Sequence, residues 1–181
     1  MKLNIKRDPM PKSYVTPLND GVYQDFKILY HQIDKILMNL LDTPVIKTYH
    51  VGSTAIKGSQ SSHILDVLVV VKSLHQMTTL DEKRLNLQSF YRLHHPYEKK
   101  CVFSKFDDLK TLNEKVRLHI VEENSTKFKK YINAQRVLEH HADLCEQFNT
   151  FKSKIDSTVS KQIYETNKSE WLQCHVNSQK A

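Results

Sequence analysis

Residues 50–71, HVGSTAIKGSQSSHILDVLVVV, gather the side chains of this chain best suited to chemistry. Gly52 permits close backbone approach and Ser53 supplies a hydroxyl. The amides of a short helical turn starting there point at whatever lies in front of them, a favourable place for phosphate. Gly52, Ser53 and Thr54 thus make a candidate phosphate-binding turn. Asp66, the single charge in the following strand, is placed to hold a divalent cation such as Mg²⁺ or Mn²⁺ against those phosphates. Each feature has a plainer alternative. Ser53 or Thr54 would also serve as a helix cap. A carboxylate in an apolar strand is costly unless paired or bound, so pairing of Asp66 with Arg117 explains it equally well.

Hydrophobic periodicity supplies the elements that must position these groups. Val22, Phe26, Leu29, Ile33, Ile36, Leu37 and Leu40 form one apolar stripe at helical spacing, capped by Asn19 or Asp20 and ended by Asp42 to Pro44. Val45 to Val51 reads as a strand running into the Gly52 turn. Ile64 to Val71 is β-branched and almost wholly apolar, which predicts a central strand covered on both faces. Residues 79–91 read as a short helix with imperfect spacing. Cys101 to Phe106 and Val116 to Val121 read as strands, the second placing Arg117, His119 and Val121 on one face. From Ser125 to about Val176 the pattern is helical: a first helix through Phe148 with a break near His140–Asp143, and a second from Phe151 through Leu172. Residues 1–18 hold three of the five prolines and read as an extended segment before a single domain over 19–176. This order predicts a small mixed sheet covered by helices, an α/β (α+β) domain.

Composition narrows the function classes. The 181 residues carry 27 Lys+Arg against 20 Asp+Glu, a formal charge of +7. The excess is spread evenly, with 11 positive and 8 negative side chains in residues 1–90, and 16 and 12 in residues 91–181. Nothing resembles a basic tail or an aromatic-basic stripe, so a nucleic-acid partner is not expected; a basic surface favours small anions. Three glycines are too few for a P-loop or a Rossmann fingerprint. Cys101, Cys145 and Cys174 are odd in number and far apart, which suits a reducing, cytoplasmic setting. The longest apolar run, Val67 to Val71, is far short of a membrane span. The His94-His95 and His140-His141 pairs lack partners at metal spacing and read as solvated surface.

The strand–Gly-Ser–turn–strand-Asp layout is that of nucleotidyltransferases with the polymerase-β-like fold, and the chain resembles the GrpB family assigned to it. The family pattern, approximately H-[IV]-G-S-T-[AS]-[IV]-P-G-L-x-x-K-P-I-[IL]-D-[IVL]-[LMD]-[IV], is matched without a gap from His50 to Val69. Tyr23 and Phe26 resemble the start of the family's first helix, and RLHIVEEN its H-L-H-[IV]-V strand. QFNTFK, ending at Lys152, resembles a Y-x-x-L-K helix, and Tyr164 with Lys168 a closing Y-x-x-x-K element. The resemblance covers residues 15–175. It departs at Lys57 (usually proline), Ser59 (leucine), Ser62 (lysine), His63 (proline) and Arg117 (histidine), and the F-R-D triplet falls on Ala134, Gln135 and Arg136.

The resemblance implies a cleft over Gly52-Ser53, Asp66 and His119 that takes a nucleotide or other small phosphorylated ligand. Asp66 and His119 are the candidate catalytic pair and Asp66 the metal ligand. Gly52, Ser53, Thr54, Lys57, Arg117 and Lys152 are the candidate phosphate contacts. His119 would also fit as a hydrogen-bonded, half-buried residue. Two-metal transfer needs a second carboxylate on the same strand face, and position 68 is leucine. The expectation is therefore ligand binding with at most one cation and, if chemistry occurs, nucleotidyl transfer. The other reading is a catalytically silent accessory module with a protein partner, as GrpB-like domains fused to dephospho-CoA kinase look to be.

Overall fold

The computed structural model describes residues 15–40, 42–93, 99–155, 159 and 161–176. Residues 1–14 of the N-terminal segment and the His94-His95 pair lie outside them. Two short strands, β1 (Thr16–Pro17) and, further on, β3 (Gln60–Ser61), pair antiparallel. Between them run α1 (Asp20–Met38) and β2 (Val45–Val51). The Asn19 side chain caps α1 by accepting from the Val22 amide at 2.9 Å. After β3 come β4 (Leu65–Val71), α2 (Thr79–Leu87), β5 (Phe90–Arg92), β6 (Cys101–Phe106) and β7 (Glu114–Glu122). Three helices complete the chain: α3 (Thr126–His140), α4 (Ala142–Lys154) and α5 (Lys161–His175).

The main sheet has the order β2-β4-β7-β6-β5, with β4 and β7 parallel and the other pairs antiparallel. Strand β4 is flanked on both sides, as its unbroken apolar run requires. Leu65, Val67, Val69 and Val71 face α1 and α2 and pack with Val116, Leu118, Ile120 and Phe103 in the larger core. Alternation turns Asp66 and Leu68 to the opposite face, where Leu68, Val51 and Val121 pack beneath Phe128, Tyr131 and Ile132 of α3. The β4–β7 register sets Asp66 beside Arg117 and Leu68 beside His119. No helix among the described residues is long and apolar enough to cross a membrane.

Two expectations change. The helix expected over 79–91 stops at Leu87. Ser89, at φ 65°, reverses the chain, and Phe90–Arg92 becomes an edge strand on Lys105–Phe103. Only Leu85 of the helix's leucines is buried; Leu80 and Leu87 face solvent, which is why the spacing looked imperfect. The C-terminal helical run breaks at His141, within the expected window. Phe151, expected to open the last helix, instead closes α4. Helices α4 and α5 pack as a hairpin through Trp171, stacked on Phe148 at 4.8 Å and Phe151 at 5.8 Å. With α3 they enclose a second core containing Ile56, Leu138 and Leu144.

The sheet core should tolerate truncation poorly. Leu118 is fully buried between strands, so Leu118→Ala should lower unfolding free energy by about 2–5 kcal/mol in urea titration.

Candidate functional site

Strand β2 delivers the chain to Gly52 at φ 79°, ψ −169°, backbone that side-chain-bearing residues avoid. A Cβ there would stand 3.0 Å from Asp66 Oδ2, so turn and carboxylate approach as closely as a glycine allows. The Gly52 amide donates to Gln135 Oε1 at 2.8 Å, and Gln135 Nε2 donates to Glu139 Oε1 at 2.7 Å, tying the turn to α3. One three-residue 3₁₀ turn follows, Ser53–Ala55. Thr54 is buried inside it and bonds His50 Nε2 at 2.9 Å. The His50 ring stacks on Tyr30 at 5.3 Å, and burial pushes it down to about 4, leaving it neutral near pH 7. Thr54 therefore braces His50 and does not reach the space in front of the turn.

Asp66 Oδ1 lies 2.8 Å from His119 Nε2, and His119 Nδ1 lies 3.1 Å from the Tyr131 hydroxyl. One neutral tautomer satisfies both contacts, with Nε2–H donating to the carboxylate and Nδ1 accepting from tyrosine. Burial lowers His119 against the hydrogen bond and charge of Asp66. For Asp66, burial works upward, but the His119 hydrogen bond and charge, with Arg117 and Lys168, hold it well below the usual carboxylate range. Pairing with Arg117 or another cation was the alternative reading of Asp66, yet the Arg117 guanidinium is bound to Glu114, at 3.1 Å from Nε to Oε1 and 2.6 Å from Nη2 to Oε2, and reaches Glu165 at 3.4 Å. Lys168 Nζ bonds the other Glu165 oxygen at 2.9 Å.

The remaining expected contacts divide. Lys57, expected at the phosphates, points away from the turn and pairs with Asp20 at 3.1 Å on the open surface. Lys152 is 1% exposed and lies behind the turn, its Nζ 3.0 Å from Ser53 Oγ and 3.2 Å from Ser59 Oγ and also bonded to the Gln60 carbonyl. It props Ser53 instead of lining the cleft. Burial, then the neighbouring charge of Lys168, pulls it down to about 7.

A cavity of about 500 Å³ opens between this face of the sheet, the Gly52-Ser53 turn and helices α3 and α5. Its walls include Gly52, Ser53, Asp66, Arg117, His119 and Tyr131, together with Lys100, Lys127, Lys130, Glu165 and Lys168. Cations outnumber carboxylates, so its field favours an anion. A divalent metal fits poorly. Among the described residues no group of three or more His, Cys, Asp or Glu is placed to hold one. Asp66 Oδ1 is taken by His119 and Oδ2 faces Gly52, while Arg117 and Lys168 already supply positive charge. Leu68 occupies the second carboxylate position. Glu122, five residues along β7 from Arg117, accepts from the Leu74 amide at 3.0 Å at the far end of the sheet.

Tyr131, Gln135 and Glu165 were not anticipated as part of the site. Phe128, Tyr131, Ile132 and Gln135 share one helix face by their spacing, and Glu165 and Lys168 form an i, i+3 pair. The sequence thus held a signal for each without saying where that face would dock.

The family model described as GrpB protein matches residues 14–178. Glutamate-rich protein GrpB from Alkalihalophilus pseudofirmus is 28% identical over 133 residues, 73% of this chain and 76% of that protein. The crystal structure of conserved protein GrpB from Enterococcus faecalis superposes with a TM-score of 0.65 and 16% identity, covering 89% of this chain and 98% of that one. Cid1 in complex with its short product ApU gives 0.51 at 10% identity, and a cytoplasmic RNA terminal U-transferase 0.53 at 9%. They match 78% and 77% of this chain, which spans about two-fifths (41%) of each. These likenesses show a nucleotidyltransferase-like fold.

Two outcomes test the turn. Gly52→Ala should cost about 1–3 kcal/mol of unfolding free energy in urea, from backbone strain alone. Lys152 titrates near 7 in the folded chain against 10.5 for an ordinary lysine. Between those values the unfolded chain binds more protons, so this group makes stability rise with pH from about 7 towards 10.5. Lys152→Met should remove that rise, read as the difference between the two proteins' urea stabilities across the window.

Proposed function

The chain belongs to the GrpB family, and from that premise we propose that its cleft binds a nucleotide or another small phosphorylated anion. The observation that carries this reading is the cavity's charge, with Lys100, Arg117, Lys127, Lys130 and Lys168 set around one polar turn and two carboxylates. The distant structural neighbours, Cid1 with its product ApU and a terminal U-transferase, support nucleotides as the first ligands to try. In this reading the phosphates lie between the Gly52-Ser53 turn and the Arg117–Lys168 wall, and the Tyr131 ring and Leu138 side chain, which also line the cavity, offer apolar surface to a base. Asp66 and His119 orient the wall and the Tyr131 hydroxyl.

The donor set supports binding more than nucleotidyl transfer. Transfer through paired cations asks for carboxylates where this chain has Leu68 and two fixed positive groups. A silent, accessory role beside a protein partner is favoured by the same observation. A cytoplasmic setting is supported by the free thiols of Cys101, Cys145 and Cys174.

Thermal melting with ATP and UTP, each with Mg²⁺ and with EDTA, tests the reading. At a hundred times the dissociation constant a ligand adds about 2.7 kcal/mol, a shift of several degrees. We expect that shift to survive EDTA, and Lys168→Met to weaken binding about tenfold or more through loss of a charge-assisted contact. No shift with any phosphorylated ligand, or an unchanged affinity in Lys168→Met, would refute it.

A further inference from the structure

Behind the turn lies a pair of groups that anion binding leaves unexplained. Lys152 is buried, makes no ion pair among the described residues, and lies over the Phe148 ring at 4.7 Å. Its three polar neighbours are Ser53 Oγ, Ser59 Oγ and the Gln60 carbonyl. The surrounding network fixes the direction of two of these bonds. Ser59 gives its hydroxyl proton to Asn149 Oδ1 at 3.0 Å, and the same oxygen accepts the Gln60 amide at 3.0 Å. Ser59 Oγ and the Gln60 carbonyl can therefore only accept from the amine, which uses two of its N–H groups. The third direction meets Ser53 Oγ at 3.0 Å, and there the proton can sit on either atom.

We propose that Ser53 and Lys152 form a nucleophile–base dyad that takes acyl groups from esters of anionic molecules. Ser53 is the member that lines the cavity, and Lys152 reaches it from the sealed side, so substrate meets the hydroxyl while water is kept from the amine. A base need only be within hydrogen-bond reach of the proton it removes and poised near the working pH. Burial and the charge of Lys168 hold Lys152 at about 7, which meets the second condition. Serine–lysine pairs are a known variant of the serine nucleophile. The substrate's charge follows from the cavity, whose lysines would hold an anionic group away from the reacting carbonyl. In the first step the Ser53 Oγ–carbon bond forms as Nζ takes the hydroxyl proton. The ester C–O bond then breaks as that proton passes to the departing alkoxide, releasing the alcohol. Water next gives its proton to Nζ and attacks the acyl-serine, and Ser53 Oγ takes the proton back as the acid leaves. The dyad shares the cleft with the nucleotide reading, but its reactivity does not depend on which anion binds there.

A fluorophosphonate probe tests this on the intact chain. Attack forms an Oγ–P bond and expels fluoride, leaving an adduct that peptide mass spectrometry locates. We expect one adduct, on Ser53, with a labelling rate that rises with pH to a plateau and has its midpoint near 7. Ser53→Ala should abolish it. Lys152→Met should slow it at least about a hundredfold and remove the midpoint, with melting curves confirming that both variants fold. If Lys152→Met does not fold, the wild-type profile decides. No adduct at Ser53, or a rate without a plateau between pH 6 and 9, would overturn the dyad and leave Lys152 as a prop for the turn.

Discussion

A carboxylate set into a central, fully paired strand must be neutralised where it stands, because the sheet offers it little water. Asp66 meets that requirement from three directions. His119, on the adjacent strand, donates to Oδ1; Gly52 presses its Cβ-free backbone against the other oxygen; Arg117 and Lys168 supply positive charge. Each solution fixes something else. The imidazole tautomer sets the Tyr131 hydroxyl, Arg117 is clamped by Glu114 and Glu165, and α3 is held to the turn through Gln135. These groups line a cavity whose remaining wall is largely apolar, including Ile64, Val102, Leu138 and Leu172.

The way the charge is compensated also shapes what the cavity can do. A site that gathers carboxylates invites a divalent cation, whereas this one sets five ammonium and guanidinium groups around two carboxylates. Behind it, Lys152 keeps its amine among oxygens that carry no full charge, so its proton is held less firmly than that of a surface lysine. The Ser53 hydroxyl stands between these two environments, facing the cavity on one side and the buried amine on the other.

Much of the scaffold was legible in the chain. The ILDVLVVV run could only be a strand with both faces covered, and the alternation around Arg117 and His119 placed both on the face that Asp66 also occupies. The cap of α1 was narrowed to Asn19 or Asp20, and the structure assigns it to Asn19. Residues 79–91 were harder, since Leu80 and Leu87 are apolar yet exposed and so falsify the periodicity that suggests a longer helix. The Phe151 assignment failed for a related reason: apolar spacing carries across a helix break when both helices contribute to one core.

The sequence by itself determined four of the five main-sheet strands, the Gly52 turn and the presence of one acid within reach of it, because these depend on local spacing and on backbone conformations open only to certain residues. Only the tertiary structure decided the partners. It gave His119 to Asp66, Glu114 and Glu165 to Arg117, Asp20 to Lys57 and the underside of Ser53 to Lys152. Those pairings join residues up to 99 positions apart. Asp66–His119 follows from the parallel β4–β7 pairing, and the Glu165 and Lys152 contacts from how α5 and α4 dock, none of which order along the chain reveals.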